Sequence, residues 1–265
     1  MKSKSKQTSL IVLVGIGYLC FGILMDAIIQ NVGILTAQGV PYLLHKFAGW
    51  MAFKVGSSTP FVMYFSHIRP DSWLTIVLML LVMSGLLYGT MRVMWRGIKL
   101  QAPDTGWYHL EATRSWWILK GYGLNLLGGM LVVILERLVQ HHQTTAANQQ
   151  QLEQMAHSGL MLQSMTIFMA VILAPLLEEA IFRGVVMNYF GQQTRWHLNL
   201  WLSALLFGCF HVFLQTFQWT ALLQYTLTGL VFAYVYHRTR QLQYSMLLHC
   251  LNNSIAMLVI LSQTK

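Results

Sequence analysis

Charge is scarce in this chain. Only 9% of its 265 residues are Asp, Glu, Lys or Arg, where a soluble domain carries about 25%. Acidic residues are the rarer sign, 8 against 17 Lys and Arg, for a formal net charge of +9. The basic residues lie scattered beside apolar runs and do not gather on one face. The excess therefore fits an anionic membrane surface and speaks against nucleic acid. Cysteine is equally sparse. Cys20, Cys209 and Cys250 are odd in number and lie in apolar segments, which excludes a disulfide framework. The first apolar run lacks a small-residue cleavage site, so it reads as a retained span and not as a signal peptide.

What the chain does have is apolar bulk: 55% hydrophobic residues and a mean hydropathy of +0.52. The expected fold class is all-α, a polytopic membrane helix bundle, and the length suits six to eight spans of about 20 residues. Lys2, Lys4 and Lys6 precede an apolar run over 10–35, interrupted by Asp26, and predict a cytoplasmic N-terminus. Residues 39–70, with Pro41, Lys46, Lys54, Pro60 and Arg69, read as an interfacial or re-entrant piece or a poor span. Further spans are expected at 73–95, 116–139, 159–189, 198–215, 219–237 and 244–261, with 101–115 a polar loop. The first of these carries Gly85 and Gly89 at small-xxx-small spacing, which permits close helix packing. Residues 141–158 hold no Lys or Arg and read as a solvated, Gln-rich loop; the pair His141–His142 is taken as part of it and not as a metal site. If 39–70 does not cross, Arg96, Lys99, Arg195, Arg238 and Arg240 all fall on the cytoplasmic side and the loop at 141–158 outside. That favours seven spans, with eight if 39–70 crosses.

Three polar constellations interrupt the last four spans. Glu178 and Glu179 stand together in an apolar run, with Arg183 following. A charge at the centre of an apolar helix costs about 2.5–3.5 kcal/mol on insertion scales, so such residues are kept for a purpose. Glu179 and Arg183 are four apart and face one another as a structural ion pair. Glu178 points about 100° away and lacks a local partner. The second constellation is Phe207-x-x-x-His211; the third is His249-x-x-x-Asn253, two residues on one helix face. Glu178 and His211 are equidistant from the polar turn 192–197, so in an antiparallel hairpin they meet at one depth. A carboxylate beside an imidazole in low dielectric makes a general base, and His249 with Asn253 makes an oxyanion support. Glu178, His211 and His249 could also be three ligands of a zinc ion with an open position, although no H-E-x-x-H is present.

EExxxR, FxxxH and HxxxN, in that order on consecutive spans, resemble the CPBP family of CAAX-protein and bacteriocin-processing (Abi or Rce1-like) intramembrane proteases. The resemblance covers about residues 160–262 and divides the chain into an N-terminal transmembrane region, 1–158, without a usable motif, and a catalytic four-helix core, 159–265. It implies an intramembrane glutamic endopeptidase without a cofactor. Glu178 and His211 would activate water, His249 and Asn253 would support the oxyanion, and Glu179 and Arg183 would hold the site together. The expected setting is a multi-pass protein of a bacterial cell membrane, with the bilayer and a peptide or protein substrate as partners and no nucleic acid. The family's bacterial members are linked to bacteriocin or pheromone processing and to self-immunity. Two alternatives stay open: a zinc-dependent intramembrane protease, and a non-enzymatic immunity or scaffold protein whose polar residues only pack.

Overall fold

A computed structural model of the chain describes residues 2–140, 146–190, 197–213 and 217–263. His141, His142, Arg195 and all but the last residue of the turn at 192–197 lie outside the described residues. The described residues form helices joined by short connections, with no strand among them. We label the helices α1 (Lys2–Val55), α2 (Pro60–Ser66), α3 (Trp73–Gln101), α4 (Ala112–Gln140), α5 (Ala147–Ala156), α6 (Leu160–Tyr189), α7 (Leu198–Val212), α8 (Trp219–Thr239) and α9 (Leu242–Ser262). Among the described residues, α3, α4, α6, α9 and residues 9–55 of α1 are long and apolar enough to cross a bilayer. The outward faces of these helices carry large apolar side chains, among them Leu24, Leu81, Leu127 and Leu258. In water such surfaces would aggregate; in lipid they are solvated. The chain is a multi-pass membrane helix bundle.

Two elements differ from what the sequence suggests. Residues 39–55 are no separate piece but continue α1, which goes on past Pro41 without interruption, 54 residues in all. At 1.5 Å per residue that is about 81 Å, well beyond a hydrocarbon core of about 30 Å. α2 starts with Pro60 at its first position, where a missing N–H costs nothing, and at about 10 Å is too short to cross. The second difference is α5. The segment 141–158 reads as a loop because it is polar, yet Ala, Gln, Glu, Leu and Met are all strong helix formers, and 147–156 folds as a helix.

The arrangement of α1 and α6 positions everything that follows. They run antiparallel in close contact. A Cβ built on Gly15 would meet Tyr189 Cβ at 2.8 Å, and one on Gly22 would meet Ile181 Cγ1 at 2.6 Å. Only glycine permits this approach. Two apolar cores meet on α6. One joins Ile29 of α1 and Met79 and Met83 of α3 to Leu173 and Leu177. The other joins Met94 and Ile98 of α3 to Ala180, Ile181 and Val185, and to Phe207, Phe232 and Leu248 from α7, α8 and α9. Glu178 and Glu179 occupy the seam between them. At one end of the bundle, the loop before α4 is clamped by the start of α9. Gly106 N–H donates to Gln241 Oε1 at 2.9 Å, Tyr108 N–H to Gln243 Oε1 at 2.9 Å, and Glu111 N–H to the Tyr244 hydroxyl at 3.0 Å.

Candidate active site

The site begins with the backbone of α6, which is not a regular α-helix. Residues Met169–Leu173 and Ala180–Val186 are wound as π-helix, on either side of Pro175 and the glutamates. In the first stretch Ala174 N–H reaches back five residues to Met169 O. The next carbonyl, Ala170, would need the N–H of residue 175, and proline has none. Asn253 of α9 supplies the donor, its Nδ2 lying 2.8 Å from Ala170 O. The second stretch is served in the same way: Asn188 Nδ2 donates to Arg183 O and Gly184 O, both at 2.9 Å.

Glu179 is the hub. It is fully buried, and its Oε1 accepts from Arg183 Nη1 and from His249 Nδ1, each at 3.0 Å. Arg183 is fully buried as well; its Nη2 donates to Gly229 O of α8 at 2.7 Å. The guanidinium lies over Phe207 at 4.8 Å and Phe232 at 5.4 Å from the ring centroids. Charge pairing, a carbonyl acceptor and aromatic faces together offset the cost of burying this cation.

Glu178 faces the other way. It is 7% exposed, and among the described residues its Oε2 has no hydrogen-bond partner. Two histidines approach that oxygen: His211 Nε2 at 3.7 Å and His249 Nε2 at 3.9 Å. Their other nitrogens fix the ring orientations. His211 Nδ1 bonds Phe207 O at 2.9 Å, and a carbonyl can only accept, so the proton sits on Nδ1 and Nε2 is turned to Glu178. His249 Nδ1 likewise gives its proton to Glu179. Phe207 thus has two tasks: its carbonyl orients His211 and its ring covers Arg183. Among the described residues, no set of three or more His, Cys, Asp or Glu stands at the spacing a metal ion requires.

Glu178, His211 and Asn253 line one cavity of about 450 Å³, between α1, α5, α6, α7 and α9. Glu179 and Arg183 lie behind its wall. Cys209 and Cys250 are free thiols that do not line it. Several residues that shape the site carry no motif. Tyr225 of α8 stacks on the His211 ring, with centroids 4.5 Å apart and planes at 23°, and Asn148 of α5 donates to its hydroxyl at 3.2 Å. Asp26 of α1 lines the cavity too. Its only signal in the sequence is a charge breaking an apolar run.

Residues 161–255 match the family described as type II CAAX prenyl endopeptidase Rce1-like. Over 89 residues the chain is 40% identical to the UPF0177 protein YaiF of Lactococcus lactis subsp. lactis (strain IL1403), which covers 33% of this chain and 38% of that protein. Over 99 residues it is 28% identical to the "Putative membrane peptidase YdiL" of Bacillus subtilis (strain 168), covering 37% of this chain and 38% of that protein. The chain thus spans little more than a third of the length of these relatives. No solved structure matches it. The segment that matches the Rce1-like family, 161–255, carries Glu178, Glu179, Arg183, His211, His249 and Asn253, and three of these, Glu178, His211 and Asn253, line the cavity.

Proposed function

We propose that this protein is an intramembrane glutamic endopeptidase. The observation that carries the reading is Glu178 Oε2: buried, without a hydrogen-bond partner among the described residues, and faced by the Nε2 atoms of two oriented histidines. A separation of 3.7–3.9 Å is too long for direct bonding and suits a water molecule held between them. Such a water gives a proton to the Glu178 carboxylate, with His211 Nε2 accepting its second hydrogen bond, as its oxygen attacks the scissile carbonyl carbon. The C–N bond then breaks, the nitrogen takes the proton from Glu178, and a carboxylic acid and an amine leave. For His249 to support the oxyanion it must donate from Nε2, which requires a second proton on the ring. Glu178, Glu179, Arg183 and His249 then sum to zero charge, which lowers the cost of burying these four groups together. Asn253 stands on the cavity wall with one amide hydrogen committed to Ala170 O and a second to offer.

On this reading Glu179 and Arg183 act through structure. The substrates are peptides or proteins presented at a bacterial cell membrane, bacteriocin or pheromone precursors among them, and the N-terminus lies on the cytoplasmic side. The test is release of peptide from co-expressed candidate precursors, wild type against Glu178→Ala. Equal release by both would leave the chain as a scaffold or immunity protein, which should keep its function without that carboxylate.

A further inference from the structure

The cavity holds one charge that the proposed reaction does not use. Antiparallel packing sets Gly15 against Tyr189 and Gly22 against Ile181. One helical turn further along the same register, Asp26 stands level with Glu178, and both carboxylates line the cavity of about 450 Å³. Asp26 Oδ2 accepts one hydrogen bond, from Gln30 Nε2 at 3.0 Å. Among the described residues it has no Lys or Arg partner. Among the described residues that line the cavity none is Lys or Arg; besides the two carboxylates the polar ones are His211 and the amides Gln30, Asn31, Asn148, Gln151 and Asn253. Two carboxylates therefore border this space with no cationic Lys or Arg beside them, and Gln30 is the amide bonded to Asp26. A carboxylate left unpaired there is costly, and Glu178, itself nine-tenths buried and with an Oε2 that has no hydrogen-bond partner among the described residues, borders the same space.

We propose that Asp26 is a specificity-determining residue, which pairs with a lysine or arginine side chain of the substrate and so sets the scissile bond against Glu178. The proposal rests on the peptidase reading. It adds a substrate class: an apolar segment with one basic residue close to the cleavage site. A neutral or acidic residue in that place leaves Asp26 unpaired, or sets two negative charges together, so discrimination comes from the misfit as much as from the ion pair.

Binding and cleavage are measured separately on the full chain in detergent micelles. A matched series of fluorescent apolar peptides carries one Lys, one norleucine or one Glu at successive positions. Affinity is read by anisotropy on the Glu178→Gln protein, which holds peptide without cutting it. With Asp26 present, the best Lys peptide should bind about tenfold more tightly than its norleucine twin. Asp26→Asn should reduce that advantage to less than about twofold, Asp26→Glu should retain it, and Asp26→Lys should shift the preference to the Glu peptide. Equal binding of Lys and norleucine peptides, no binding of any peptide, or a Lys preference that survives in Asp26→Asn would overturn the proposal. Cleavage on the Glu178 protein separates the two ideas. Cutting that ignores the basic residue sinks the role of Asp26 alone. Charge-dependent binding with no cleavage sinks the peptidase reading and leaves Asp26 as a cation site.

Discussion

Glu179 Oε1 lies 3.0 Å from His249 Nδ1. That one contact between α6 and α9 turns the far side of the imidazole toward Glu178 and gives the paired glutamates different surroundings. Glu179 is enclosed by Arg183, His249 and aromatic rings, while Glu178 opens on a cavity. Two identical side chains, adjacent in sequence, thus have one closed and one open environment.

Replacing Glu178 with Gln should abolish cleavage and leave the protein folded in the membrane. The amide keeps the shape and the hydrogen bonding but cannot take a proton. Removing a general base costs about 10²–10⁴-fold, so the rate on a reporter peptide should fall by at least that much while thermal unfolding in detergent is unchanged. Near-wild-type turnover would remove Glu178 from the role.

The change Glu179→Ala should act on stability. It leaves Arg183 buried without its carboxylate and frees the His249 ring, and breaking a buried pair costs about 3–5 kcal/mol. Low yield and a lowered Tm are expected, with partial recovery when Arg183 is also replaced by Met. A stable single variant that has lost only catalysis would show that the two glutamates have the reverse roles.

Asn253 allows structural and chemical contributions to be separated. Asn253→Ala leaves Ala170 O without its donor, at a cost of about 1–3 kcal/mol for a buried group. Adding Pro175→Ala restores an N–H at the position that the π-helical carbonyl would reach. The double variant should therefore regain stability. If Asn253 also donates to the oxyanion, kcat should stay low in both variants. Recovery of Tm and kcat together would make Asn253 a structural residue alone.

Zinc offers the remaining test of mechanism. If Glu178 and His211 activate water by themselves, strong chelators should leave activity unchanged and the purified protein should carry no stoichiometric zinc. A bound zinc would lower the pKa of its water to about 7, and chelation would then remove activity that added metal restores. One zinc per chain, with activity following occupancy, would overturn the glutamate mechanism and leave the same residues as ligands.

Within single helices, composition and residue spacing already specify a good deal. Scarce charge and long apolar runs mark a membrane bundle. A spacing of four places Glu179 against Arg183 and leaves Glu178 pointing elsewhere, because 3.6 residues per turn is a property of the backbone alone. The hairpin between α6 and α7 was legible too: residues equidistant from a turn share a depth, and Glu178 meets His211 at 3.7 Å. Contacts between distant helices were not legible. His249 on Glu179, Asn253 on Ala170 and Asp26 level with Glu178 depend on how each helix is rotated and slid against its neighbours. Glycine contacts such as Gly22 on Ile181, 159 residues apart, set that register, and no local periodicity encodes it. The two π-helical stretches belong to the same class. Pro175 leaves Ala170 O without a backbone donor, and that carbonyl is satisfied only because α9 brings the Asn253 amide to it, a contact between helices that no local pattern encodes.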